Sequence, residues 1–147
     1  MDAQHLILII EDDEFLLNSL ENILQKANYT VEKVTTGKEA LEKLKNVYYS
    51  LILLDVKLPD MDGIQIILEI EEASPKMRKI IMTGYPSVEK AQQAINYGAD
   101  AFLVKPFSPE VLLKEIKKQL VLRDKEMKEL YGVFIVNKKK RIKHKQI

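Results

Sequence analysis

Leu51-Ile52-Leu53-Leu54-Asp55-Val56-Lys57-Leu58-Pro59 is the stretch that decides the fold. Four apolar residues in succession, an aspartate and then a proline describe a strand buried on both faces that carries one carboxylate to its C-terminal edge. Such a strand needs helices on either side, and helical patterns flank it in sequence, so an open parallel α/β sheet is expected. Ligands in those sheets sit beyond the carboxyl ends of the strands, which is where Asp55 belongs.

Upstream, Leu6 to Ile10 is a second short apolar run that meets Glu11, Asp12 and Asp13 at once. Apolar residues then recur at helical spacing through Phe15, Leu16, Leu20, Ile23 and Leu24 and fade near Asn28. Thr30 to Thr35 alternates as a strand near an edge, and after Gly37 a helix carries Ala40, Leu41 and Leu44. Downstream, Pro59, Asp60, Asp62 and Gly63 form a turn-rich loop, and Ile64, Ile67, Leu68 and Ile70 mark a helix up to Ser74 and Pro75. Lys79 to Thr83 is a fourth strand, and a helix capped by Ser87 runs through Val88, Ala91, Ala94 and Ile95 to Gly98. Ala101 to Val104 is the fifth strand, ending at Lys105 and Pro106. Ser108 and Pro109 open a last helix through Val111, Leu112, Ile116 and Leu120. Strict alternation of five strands and five helices, joined by right-handed crossovers, predicts a doubly wound, flavodoxin-like parallel sheet of order 2-1-3-4-5 with helices on both faces.

The 147 residues, 46% apolar and 31% charged, suffice for one domain with a full core and a short appendage. With no cysteine, disulfides, thiol nucleophiles and Cys-based metal sites are excluded. No stretch approaches a membrane span or reads as a signal peptide, so a cytoplasmic location is expected. The formal net charge of +1 conceals an asymmetry: Lys138, Lys139, Lys140, Arg141, Lys143 and Lys145 give residues 137–147 a charge of +6, leaving −5 for residues 1–136.

In the predicted strand order, strands 1 and 3 are neighbours at the switch point. Glu11, Asp12 and Asp55 converge there, and Thr83 and Lys105 arrive from the ends of strands 4 and 5. Three carboxylates this close repel one another unless a cation is present. Oxygen ligands without Cys or His suit Mg²⁺, with Mn²⁺ the alternative, and Mg²⁺ keeps positions for water or phosphate oxygens. Asp55 is then placed as a carboxylate nucleophile for in-line phosphoryl transfer, with Thr83 and Lys105 serving the peripheral phosphoryl oxygens. Asp13 and Glu14 read as helix-start acids, and Asp60 and Asp62 as turn and helix-start residues.

Glu11-Asp12 after an apolar strand, Asp55 in LLDVKLPDMDG, Thr83 in MTGYPS and Lys105 in FLVKPF resemble, in order and spacing, the receiver domain of two-component response regulators. The resemblance implies that Glu11, Asp12 and Asp55 hold Mg²⁺ together with the backbone carbonyl of Lys57. It implies that Asp55 accepts phosphate from a histidine kinase or phosphotransfer protein and that Thr83 and Lys105 bind the phosphoryl group. The Lys105-Pro106 bond is then cis, and Phe102 is the switch aromatic, turning into space that the Thr83 hydroxyl vacates. The activity implied is self-phosphorylation and self-dephosphorylation, without turnover of an external substrate. A related aspartyl-phosphate hydrolase carries a second aspartate two residues after the nucleophile, where this chain has Lys57. A phosphorylation-independent interaction module usually lacks an acid or the lysine, and here none is missing. Lys57 and Tyr85, two residues beyond Asp55 and Thr83, rim the site: Tyr85 is expected to shield the acyl phosphate from water, and Lys57 to add positive charge.

Beyond Leu122 the apolar spacing continues: Leu113, Ile116, Leu120, Met127 and Leu130 are heptad-like, interrupted at Arg123, and Tyr131 and Gly132 read as the end of the helix. The chain thus divides into a receiver-like domain, 4–122, and a helical extension with a basic tail, 123–147. The extension suits a homodimer, a link to a downstream output domain or protein, or a helix end folded back on its own globule. The tail's charge fits nucleic acid, an anionic membrane surface or an acidic partner, though six positive charges without stacking aromatics more commonly form a solvated, flexible end.

Overall fold

The structure is a computed structural model and describes residues 5–73, 76–84 and 87–145. Strands β1 (Leu6–Ile10), β2 (Thr30–Val34), β3 (Leu51–Asp55), β4 (Arg78–Thr83) and β5 (Ala101–Val104) alternate with helices α1 (Glu14–Lys26), α2 (Gly37–Asn46), α3 (Gly63–Ala73), α4 (Val88–Asn96) and α5 (Pro109–Lys145). The strands form one all-parallel sheet of order β2-β1-β3-β4-β5, as the alternation predicts.

β3 is central and every one of its residues is buried, which explains its unbroken apolar run. Alternation along the strands divides the core. Ile7, Ile9, Leu51, Leu53 and Met82 face α1 and α5, packing on Leu17, Leu20, Leu24, Leu112, Ile116 and Leu120. Leu8, Ile10, Ile52, Leu54 and Ile81 face the other layer, with Ile64, Ile67 and Ile70 of α3 and Ala94 of α4. Four apolar residues counted on helix faces lie outside this core, among them Ile95 of α4 and Val111 of α5, both exposed. Phe15 is 84% exposed at the start of α1 and Leu68 is 51% exposed on α3, while Ile66 is buried.

The helix ends follow local chemistry. The Asp13 carboxylate accepts from Phe15 N and Leu16 N at the start of α1, and the Thr36 hydroxyl accepts from Glu39 N. Ser87 and Ser108 do the same for Lys90 N and Val111 N. Behind α4, Gly98 adopts φ 112°, a conformation that costs glycine nothing, and Ala99 N–H reaches back to the Ala94 carbonyl. Asp60 has a role that local sequence does not show: its carboxylate accepts from Gly37 N at 2.8 Å and Lys38 N at 2.9 Å, capping α2 from the β3–α3 loop.

These backbone donors hold the Asp60 carboxyl below its usual range. A depressed folded pKa contributes stability that is present above the ordinary carboxylate pKa and is lost as pH falls through the lower folded value. The stability difference between wild type and Asp60→Asn is therefore expected to be constant near neutrality and to shrink below the ordinary carboxylate range. Urea titrations at a series of pH values read this directly, and a difference that grows on acidification would contradict the cap.

α5 departs from expectation. The predicted stop at Tyr131 and Gly132 is absent: α5 runs unbroken for 37 residues, about 55 Å, from Pro109 to Lys145, so most of the expected flexible tail is helical. One glycine costs a helix interior only about 1 kcal/mol relative to alanine, and good helix formers stand on both sides at a distance, Lys128, Glu129 and Leu130 before it and the basic run from Lys138 after it. Contacts to the globule continue past Leu122. Arg123 lies over the Tyr48 ring at 5.6 Å, Asp124 Oδ2 is 3.1 Å from His5 Nε2, and Glu126 pairs with Arg78 and Lys76. These contacts clasp α5 to the N-terminal edge of the sheet, because His5 precedes β1 and Arg78 begins β4.

Candidate functional site

At the opposite, C-terminal edge of the sheet, neighbouring strands β1 and β3 end in acids. Glu11 follows β1 and is 1% exposed, Asp12 is exposed, and Asp55 closes β3 at 7% exposure. One carboxylate oxygen from each lies within 4.8 Å of the others, forming the group of acids suited to a metal ion among the described residues. Sequence separation is overcome by register: Ile10 pairs with Leu54, so the residues after them leave the sheet side by side.

Lys105 completes the cluster from the end of β5. Its Nζ donates to Glu11 Oε2 at 2.9 Å and to Asp55 Oδ2 at 3.0 Å, while its backbone N–H donates to the Thr83 carbonyl at 2.7 Å. The peptide bond that follows, Lys105-Pro106, is cis. The other Asp55 oxygen, Oδ1, accepts from Lys57 N at 3.0 Å. Asp55 is thus held from both sides in one orientation.

Burial is the main reason the Glu11 carboxyl is pushed up to about 7, with the neighbouring Asp55 adding to the rise and Lys105 opposing it. Burial also works against the Lys105 charge, but its hydrogen bonds to Glu11 and Asp55 outweigh this and hold the ammonium above its usual range. The acids therefore already recruit one cation from the chain itself. A hard divalent ion fits the same donor set: all three ligands are oxygens, and no sulfur or imidazole is among them.

A cleft of about 450 Å³ opens over the cluster, lined by Asp12, Asp13, Asp55, Lys57, Leu58, Pro59, Gly84 and Lys105. Thr83, 5% exposed at the end of β4, lines an adjoining cleft of about 400 Å³ that shares Lys57 and Leu58 with the first. Phe102 is half-buried on β5, opposite Ile81, and by strand alternation shares its face with Thr83. Lys57 is exposed at the rim. The expected shield, Tyr85, lies outside the described residues.

The loop behind the site is shaped by Gly63. A Cβ there would stand 2.4 Å from the Asp55 carbonyl oxygen and 3.0 Å from Val56 Cα, and the Gly63 N–H donates to the Val56 carbonyl at 2.7 Å. Backbone cannot yield as a flexible side chain would, so Gly63→Ala must move α3 away from the end of β3. A loss of about 1–3 kcal/mol is expected in denaturant unfolding, the usual range for overpacking. An unchanged midpoint would show that the loop relaxes freely.

What sequence reading missed lies away from the cleft. The clasp of His5, Arg78, Asp124 and Glu126 joins residues up to 119 positions apart and leaves no local signal. Glu11, Asp12, Asp55 and Lys105 are brought into one cluster, Lys57 and Thr83 line the clefts over and beside it, and Phe102 packs against the core on the sheet face that Thr83 shares.

The chain is 34% identical over 113 residues to the chemotaxis protein CheY of Thermotoga maritima, covering 76% of this chain and 94% of that protein. It is 35% identical over 114 residues to the transcriptional regulatory protein ZraR of Escherichia coli K12, covering 78% of this chain but 26% of ZraR, so it spans about a quarter of that relative's length. A CheY-like receiver domain structure from Methanospirillum hungatei superposes with a TM-score of 0.82 at 40% identity, over 84% of this chain and 99% of that one. Residues 7–117 match the family described as the response regulator receiver domain, and the chain belongs to that family of two-component signalling domains.

Proposed function

We propose that Asp55 is the phosphoacceptor of this receiver and that Glu11, Asp12 and Asp55, with the Lys57 backbone carbonyl, hold the Mg²⁺ or Mn²⁺ ion that phosphoryl transfer requires. The observation that carries the reading is the convergence of three carboxylates and the Lys105 ammonium on one cleft at the ends of β1, β3 and β5. When bound, the ion supplies positive charge to the oxygens of the transferring phosphoryl group.

The chain's own residues do the rest. The Asp55 carboxylate attacks the phosphorus of a phosphohistidine on a kinase or phosphotransfer protein; the phosphorus–nitrogen bond breaks, the imidazole leaves, and an acyl phosphate forms on Asp55. Oδ1 is steadied by Lys57 N–H, which leaves Oδ2, on the Lys105 side, to react. Lys105 exchanges its carboxylate partners for phosphoryl oxygen, and the Thr83 hydroxyl donates to another. Movement of Thr83 opens space for the Phe102 ring, and the surface from β4 to α5 changes shape for an output domain or partner protein. The function is therefore signalling, with slow self-dephosphorylation resetting the switch. No helix among the described residues is long and apolar enough to cross a membrane, and the proposed place of action is the cytoplasm.

Intact mass after incubation with acetyl phosphate tests the core of this reading. A labile phosphoryl adduct is expected with Mg²⁺ and none with chelator. A chain that stays unmodified with metal present would overturn it.

A further inference from the structure

We propose that the groove between α2 and α3 binds a free aromatic amino acid, its ring on the apolar floor, its carboxylate at Lys45 and its ammonium at Glu69. The inference is independent of the chemistry at Asp55 and concerns the opposite edge of the sheet. Helices that join parallel strands run back along them, so α2 and α3 end beside the starts of β3 and β4. There the two helices leave a groove of about 560 Å³, larger than either cleft at the Asp55 edge.

The floor is apolar. Tyr49, Ile70 and Met77 are buried beneath it, and Leu44 and Val47 line it from the α2 side. A ring suits this floor better than an aliphatic chain. The Tyr49 hydroxyl is already engaged as a donor to Glu32, so its ring is what remains to meet a ligand, and a methionine sulfur packs favourably on aromatic edges. Tyr48 adds a second ring, 55% exposed.

Charge selects the class of ligand. Lys45 lines the groove from the last turn of α2 and Glu69 from α3. Both are exposed, and among the described residues neither is paired with the other or with any opposite charge. One cation and one anion beside an apolar floor complement a ligand that carries one of each next to an apolar group, which is the constitution of a free amino acid. An amine or an acid alone would satisfy one wall and face a like charge on the other. An internal residue of a peptide carries neither group. A second copy of this chain fits no better: its most exposed apolar side chain, Phe15, follows Asp13 and Glu14 with no cation nearby in sequence, which would set acids against Glu69.

Calorimetric titration of the full chain tests the proposal, with amide NMR shifts to locate the site. L-phenylalanine is expected to bind with a Kd of about 1 mM, the range open to a small ligand on a partly open surface. Phenethylamine, which lacks the carboxylate, and hydrocinnamate, which lacks the ammonium, should each bind up to about five-fold more weakly, the worth of one exposed ion pair. Lys45→Met should bind phenylalanine and phenethylamine alike, and Glu69→Gln should bind phenylalanine and hydrocinnamate alike. Both positions are exposed, and unchanged melting temperatures verify that the variants fold. Shifts are expected at the amides of Leu44, Val47, Ile70 and Met77. The proposal is overturned if the wild type binds no phenylalanine at about 10 mM or binds both analogues as tightly as phenylalanine. It is equally overturned if Lys45→Met keeps the preference for phenylalanine over phenethylamine, if the shifts fall away from the groove, or if the heat arises from self-association.

Discussion

No labile phosphoryl adduct is expected on an Asp55→Asn variant offered acetyl phosphate and Mg²⁺, under conditions where the wild-type chain acquires one. The amide oxygen can still accept from Lys57 N–H, so the end of β3 keeps its geometry, and Glu11 keeps its bond to Lys105. What is lost is nucleophilicity: an amide has no carboxylate charge with which to attack phosphorus. The metal site weakens as well, because one of its three carboxylates is gone. The fold should survive, since the substitution removes a charge from a crowded acidic group. Native far-UV circular dichroism with complete loss of the adduct is the expected pair of results. An adduct of equal yield on the variant would place the acceptor elsewhere.

Lys105→Met should be nearly as damaging, for a different reason. Its ammonium is the counter-charge shared by Glu11, whose side chain is 1% exposed, and Asp55, at 11%. Methionine fills the space of the lysine stem and leaves both carboxylates facing each other without a cation. Such orphaned buried groups cost about 1–3 kcal/mol, moderated here because the lysine side chain is itself 21% exposed and water can reach the cleft. Phosphoryl uptake suffers more, since removing one charged donor to a developing transition state typically slows a reaction about 10²- to 10³-fold. Unfolding measured in chelator should show the loss of stability, and timed intact mass with acetyl phosphate the slower uptake. Added Mg²⁺ should restore part of the stability, because the ion can take over the ammonium's electrostatic role. Uptake at the wild-type rate would remove Lys105 from the proposed chemistry.

The site was legible because each of its members stands at a strand end, where an apolar run stops and a polar residue follows. Glu11, Asp55, Thr83 and Lys105 all sit at such junctions, and a parallel sheet puts every junction on the same edge. The clasp was not legible, since His5, Arg78 and Glu126 lie at junctions or on a helix face with nothing nearby in sequence to mark them. Asp60 reads locally as a turn residue and instead caps a helix that begins 23 positions earlier. The end of α5 was misjudged because glycine weakens a helix without forbidding it.

Sequence alone therefore determined the strand order, the two-layered core and the residues gathered over the cleft, because hydrophobic period and chain alternation admit almost one arrangement. Only the tertiary structure decided which oxygen of Asp55 faces Lys105, which apolar residues of α1 and α3 stay in water, and where α5 is clasped before it leaves the globule. Those outcomes depend on groups far apart in the chain meeting at distances near 3 Å, and pattern along the chain carries no record of such meetings.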